Sequence, residues 1–302
     1  VSAVRIAAHA KLNLLLRVLA READGYHGLE TLFALVELHD TLTVERRDGD
    51  AVTLAVEGAD DLGPPEQNLA VRAARRVLAA TGRRAGLHLT LVKRIPAKAG
   101  LGGGSSDAAA ALVAVNHLLG EPVPRHELLQ FAAGLGSDVP FLLSGAPLAL
   151  AWGHGERMLR LPPLPAAPAL LLTPPVGVET KEAYGWVAAA REGAGRRGAL
   201  ALDLDALASW GSIGRMAGND FESPVFARVP AVRAAFEALV GTRPLVCRMT
   251  GSGSTLFAVY RTPRDRDDAA MILGRKHGRV TPVQTRAVAA PGPEPLPTPA
   301  GG

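Results

Sequence analysis

The segment from Ile95 to Gly120, IPAKAGLGGGSSDAAAALVAVNHLLG, restricts the folding of this chain more than any other. Residues 87–92 before it alternate as a strand does, and Leu112, Val115 and Leu119 after it recur at helical spacing until Gly120 stops the pattern. A glycine loop between a strand and a helix sets successive backbone amides, unshielded by side chains, at a helix entrance, which is a phosphate cradle in physical terms. Flexible linkers use the same residues. A linker, however, has no reason to lie between a strand and a well-patterned helix that opens with two hydroxyls, Ser105 and Ser106. No Gly-Lys-Ser/Thr closes the loop and the third glycine of a dinucleotide fingerprint is missing, so a different phosphate-binding class is needed.

Around this unit the spacing predicts an alternating strand over residues 10–18, with Lys11 and Asn13 on the face opposite Leu12 and Leu14. Strands follow at 31–38 and 41–45, with a hairpin at 48–50 leading into 52–57. Asn68 is placed to cap a helix carrying Leu69, Ala73 and Val77, ended by Gly82. A helix over 126–133 gives way to Gly136, Ser137 and Asp138, and Pro140 suits the first turn of another short helix. The proline-rich run LPPLPAAPA marks a domain junction, giving domains over 1–158 and 159–290. Beyond it, strands at 170–173, 245–249, 255–260 and 280–288 and helices at 181–191, 231–240 and 266–276 are compatible with a ferredoxin-like α+β layer. Residues 291–302, PGPEPLPTPAGG, read as a disordered tail.

Composition narrows the function classes. Net charge is +4 and the basic pairs are scattered, while aromatics make up only 4%, too few for a base-stacking platform, so nucleic acid is not an expected partner. No apolar run reaches the roughly 18 residues of a membrane span, and the reading is an untargeted cytoplasmic protein, a monomer or weak homodimer. The single cysteine, Cys247, lies in an apolar segment and reads as core.

PAKAGLGGGSSDAAA, from Pro96 to Ala110, resembles the second motif of the GHMP kinases, the family of galactokinase, homoserine kinase and mevalonate kinase. AKLNLLLRV (10–18) with DGYH (24–27), GSDVPF (136–141), NDFE (219–222) and TGSGST (250–255) follow in the family's order. DGYH with NDFE is similar to one branch, the diphosphocytidyl-methylerythritol kinases of bacterial isoprenoid synthesis.

The resemblance implies a two-domain α+β GHMP kinase fold, with an N-terminal domain like the second domain of ribosomal protein S5 and a ferredoxin-like C-terminal domain. It makes Asp138 the catalytic base and Lys11 the cation beside it. Pro96, Ala97, Lys98, Ala99, Gly100, Leu101, Gly102, Gly103, Gly104, Ser105 and Ser106 would wrap the phosphates of ATP, with Asn68 and Lys93 near the adenine. Asn13, Tyr26, His27, Tyr184, Gly251, Ser252 and Gly253 would receive the substrate, a cytidine diphosphate-linked methylerythritol. Mg²⁺ is expected with ATP; its ligands are not specified, although Ser106 is a candidate neighbour. Bland alternatives stand beside this: Asp138 only caps a helix and Lys11 only fills a surface strand, while Asn68 serves as a helix cap. The rival functions are another GHMP kinase of the homoserine or mevalonate type, and a non-catalytic ligand- or RNA-binding module on the same fold.

Overall fold

The computed structural model describes residues 2–21, 27–59, 62–191 and 202–297. Its first part comprises β1 (Ala3–Arg21), β2 (His27–Arg47), β3 (Val52–Glu57), α1 (Leu69–Thr81), β4 (Gly86–Val92), α2 (Gly103–Leu118), α3 (Arg125–Ala133), α4 (Val139–Ser144), β5 (Leu148–Gly153) and β6 (Arg157–Arg160). The second comprises β7 (Pro168–Thr173), α5 (Thr180–Arg191), α6 (Trp210–Met216), β8 (Gly218–Asn219), α7 (Glu222–Arg228), α8 (Pro230–Gly241), β9 (Val246–Met249), β10 (Leu256–Val259), α9 (Pro263–Leu273), β11 (Arg279–Gln284) and β12 (Glu294–Pro295).

The first sheet has the order β12-β1-β2-β4-β3, with β5 and β6 extending from the other half of β2 and β8 lying beside β1. β1 and β2 pair antiparallel from Ala3↔Glu45 to Arg21↔His27, so the expected short strands at 10–18, 31–38 and 41–45 are parts of two long ones. Irregularities between His9 and Lys11 and between Asn13 and Leu15 interrupt the register. Past each, β1 meets a different apolar cluster: Ile6 and Ala8 pack under α1 and α2, Leu12 and Leu14 between the two sheets, and Leu16 and Val18 against α5 and α7.

The expected hairpin at 48–50 does not form. β4 lies against β2, antiparallel, and β3 runs parallel outside it. Leu87, Leu89 and Leu91 of β4 are fully buried, whereas Val52 and Leu54 of β3 are only partly so, and the more apolar strand takes the interior place. The Asn68 cap is as expected, accepting from Ala70 N at 2.9 Å, and Gly82 closes α1 at φ +62°.

The second sheet, β11-β7-β10-β9, is antiparallel throughout. With helices between β7 and β9 and α9 between β10 and β11, it has the ferredoxin-like arrangement. α9 begins at Pro263 rather than 266, because Thr262 and Asp265 form a capping box there. The proline-rich junction is packed: Leu161, Leu164 and Ala167, three apart as in polyproline geometry, are buried between the sheets. β6 crosses the expected boundary at 158, and β8 and β12, which follow that boundary in sequence, belong to the first sheet.

The tail expectation also needs correction. Glu294 and Pro295 pair with Arg5 and Val4, and Leu296 N donates to Ala3 O at 2.9 Å. The edge of β1 offers unpaired backbone groups, and a proline-rich segment is already extended enough to take them up. Residues 298–302 lie outside the described ones.

Candidate active site

Lys11 projects from β1 beside a bulge, on the face away from Leu12. Its Nζ lies 3.2 Å from Asp138 Oδ2, donates to Asn13 Oδ1 at 2.7 Å and sits 5.6 Å from the centroid of Phe33. The ammonium is almost wholly buried, while Asp138 keeps 27% of its side chain exposed toward a cavity of about 930 Å³. Asp138 occupies the position before α4 but makes no capping hydrogen bond. Its carboxylate is turned to the lysine and the cavity, which answers the bland reading of this residue.

The glycine loop forms the wall directly against this pair. Gly102 is left-handed at φ +73°, and a Cβ there would lie 3.0 Å from Lys11 Cγ and 3.4 Å from Asp138 Oδ2. Only glycine lets the loop pass this close to the pair. α2 starts at Gly103 without a side-chain cap, and its first helical hydrogen bond is Ser106 N to Gly102 O. The amides of Gly103, Gly104 and Ser105 therefore precede the helical ladder at the positive end of the helix dipole.

The turn at 250–254 locks onto this wall. Asn13 Oδ1 accepts from Gly251 N at 2.9 Å and Thr250 Oγ1 at 3.2 Å, and Thr250 Oγ1 also reaches Gly100 O at 3.1 Å. Gly100 has φ +77°, and a Cβ on it would stand 2.1 Å from Thr250 O, so the two glycine turns meet backbone to backbone. From the other side Asn219 Nδ2 donates to Met249 O and Gly251 O, Asp220 Oδ2 accepts from Val18 N, and Glu222 Oε1 accepts from Met249 N. The NDFE segment is thus a clasp for the turn and for β1. Burial pushes the Glu222 carboxyl up to about 7, against the pull of the Met249 amide and Arg248.

Tyr184, on α5, lines the same cavity and packs edge-on against Phe221 at 5.0 Å. Its hydroxyl is pushed up to about 12, first by burial and then by the charge of Asp138.

Two family models match this chain, "GHMP kinases N terminal domain" over residues 68–146 and "GHMP kinases C terminal" over 203–279. The chain is 42% identical over 271 residues to a 4-diphosphocytidyl-2-C-methyl-D-erythritol kinase from Pelotomaculum thermopropionicum, covering 89% of this chain and 92% of that one. It is 38% identical to the protein of the same name from Parvibaculum lavamentivorans, covering 90% and 93%. This chain is a GHMP kinase. A crystal structure of 4-(cytidine 5'-diphospho)-2C-methyl-D-erythritol kinase superposes with a TM-score of 0.76 at 35% identity, covering 93% of this chain and 98% of that one. Homoserine kinase from Cytophaga hutchinsonii, at 20% identity and a TM-score of 0.69, shares the fold.

Of the expected site residues in this GHMP kinase, the structure brings Lys11, Asn13, Gly100, Gly102, Ser105, Asp138, Tyr184, Gly251 and Ser252 to one cavity. Ser252 Oγ also bonds Thr180 Oγ1 at 3.0 Å. Tyr26 lies outside the described residues, and His27 is described only as the first backbone position of β2. Ala99 and Leu101 bury into the core between the sheets, and Lys98 is exposed, pairing with Glu179 at 3.3 Å. Pro96, half-buried, and Ala97, exposed, precede it, and neither lines the cavity.

Gly103 and Gly104 do not line the cavity either, and four further residues stand differently from expectation. Lys93 is buried and bound to Asp40 and Asp107, and Asn68 caps α1; neither lines the cavity. Ser106 turns inward and donates to His9 O at 2.7 Å, leaving Ser105 as the hydroxyl that faces the cavity. Gly253 backs onto Met249, whose Sδ is 2.7 Å from where its Cβ would be. The sequence reading missed Thr31 and Phe33, which line the cavity from β2. Their spacing of two on one strand face was the available signal, since Thr31 interrupts an otherwise apolar face.

Proposed function

We propose that this GHMP kinase transfers the γ-phosphoryl group of ATP to the 2-hydroxyl of 4-diphosphocytidyl-2-C-methyl-D-erythritol, in the methylerythritol phosphate route to isoprenoid precursors. The observation that carries the reading is the Lys11–Asp138 pair sharing one cavity with Gly102 and Ser105 at the uncapped start of α2. Phosphoryl transfer demands chiefly positioning and charge neutralisation. The amides at the α2 N-terminus hold the phosphates, and Lys11 offsets charge at the attacking oxygen. Asp138 accepts the hydroxyl proton as the bond from phosphorus to the new oxygen forms and the bond to ADP breaks. A carboxylate is a weak base toward an alcohol, so the proton moves late, after the loose transition state has acidified the hydroxyl. Mg²⁺ carried on the ATP phosphates would supply further neutralisation, and Ser105 offers it a hydroxyl that faces the cavity.

Cytosine recognition is assigned to Tyr26 and His27, with Tyr184 as the opposite aromatic wall. A coupled assay of ADP release with the cytidine substrate, homoserine and mevalonate tests this directly. Turnover should require the cytidine moiety; equal turnover of homoserine would leave only the broader kinase assignment. Tyr26→Ala should raise the Michaelis constant for the cytidine substrate about fivefold to 150-fold, the worth of one stacked base, without changing that for ATP.

A further inference from the structure

Beneath the glycine loop lies an ion cluster that the reaction does not touch. Asp40, fully buried in β2, accepts from the backbone amides of Arg94 and Ile95 at 2.5 and 2.8 Å through Oδ1, while its Oδ2 binds Lys93 Nζ. The same ammonium donates to Asp107 Oδ2 at 2.7 Å. Asp107 stands in the opening turns of α2, and its Oδ1 is buried without a hydrogen-bond partner. One ammonium thus joins the strand before the loop, the first amides of the loop and the helix after it.

A buried ion cluster is poor evidence of a device for stability, because apolar side chains of similar volume stabilise as well or better. What singles this one out is its place. A Cβ on Gly103 would lie 3.4 Å from Lys93 Nζ and 3.1 Å from Ile95 Cγ2, so the first residue of α2 rests directly on the cluster. Two carboxylates face one ammonium. Burial pushes the Asp107 carboxyl up to about 7 although Lys93 pulls the other way. Burial likewise opposes the Lys93 charge, but the two carboxylates outweigh it and hold its pKa above the ordinary lysine value.

We propose that Lys93 is a positioning residue of the phosphate cradle: clamped between Asp40 and Asp107, it fixes the first turn of α2 so that the amides of Gly103, Gly104 and Ser105 meet the phosphates, and it does not itself touch the nucleotide. The proposal rests on the reading of that loop as the ATP site. It replaces adenine contact by Lys93 with a role one layer below the ligand.

Asp107→Ala is the cleanest test, because it cuts the tie to α2 and leaves a neutral Lys93–Asp40 pair. Calorimetry with ATP and with adenosine separates the two roles. ATP affinity should fall about tenfold, the scale of one charge-assisted hydrogen bond, with adenosine affinity unchanged. Asp107→Asn, whose amide oxygen still accepts from Lys93, should restore ATP affinity to within about twofold of wild type. A folded Asp107→Ala variant with wild-type ATP affinity overturns the strut and leaves the function standing. Should Asp107→Ala not fold, Lys93→Met combined with Asp107→Asn removes the same tie, and the same affinities decide. Loss of adenosine affinity in the Lys93→Met variant would return Lys93 to the adenine. A wild-type chain that binds no ATP would overturn both readings.

Discussion

At the scale of single residues, Asp138 shows how position and chemistry separate. It stands where a helix cap belongs, yet its carboxylate caps nothing and faces Lys11 at 3.2 Å. Asp138→Asn should therefore leave the melting curve and the Michaelis constant for ATP unchanged while lowering kcat about a hundredfold to ten-thousandfold. Steady-state kinetics beside a thermal melt checks both halves. Gly100→Ala makes the opposite kind of test, because one methyl would stand 2.1 Å from Thr250 O at φ +77°. Both Michaelis constants should rise and the melting temperature should drop by about 5 °C or more. The chemistry-bearing residues were legible because their motifs carry them in order. The buried ones were not: nothing in ELHDTLTV tells that Asp40 is fully enclosed, since its partners Lys93, Arg94 and Ile95 come more than fifty residues later.

Among the elements, what sequence pattern reveals depends on length and on who the neighbours are. α1 and α2 announce themselves by cap and period, whereas α6 and α7, seven residues each, are too short to display a period. The 48–50 turn was misread because a turn signal fixes a change of direction and not the strand beside which the chain returns. α7 nevertheless carries a testable consequence through Glu222, whose first-turn carboxylate holds the Met249 amide at 2.8 Å. Glu222 is raised from 4.5 to about 7, so between those values the folded chain keeps a proton that the unfolded chain has released. Its contribution to stability is accordingly full below about pH 4.5 and declines as pH rises to about 7. Melting temperatures of wild type and Glu222→Gln measured from pH 4.5 to 7.5 should show the gap moving steadily against wild type. A gap independent of pH would mean that Glu222 is ionised throughout.

The whole molecule is tied together by β1, which pairs with β2, β8 and β12. Because β12 adds only a short ladder, removing residues 293–302 should lower the melting temperature by about 1 to 3 °C and leave both Michaelis constants as they are. Differential scanning calorimetry on the truncated chain measures the first and the coupled assay the second. The pairing partners of β1 also bear on how the protein is made. Leu15 and Leu16 find β8 at residues 218–219, and Val4 and Arg5 find β12 at 294–295. At about 5 to 20 residues per second, a ribosome delivers β12 roughly 15 to 60 s after the strand it must join. β1, with the lysine of the site already on it, is therefore left for that interval with an open edge at Val4 and Arg5.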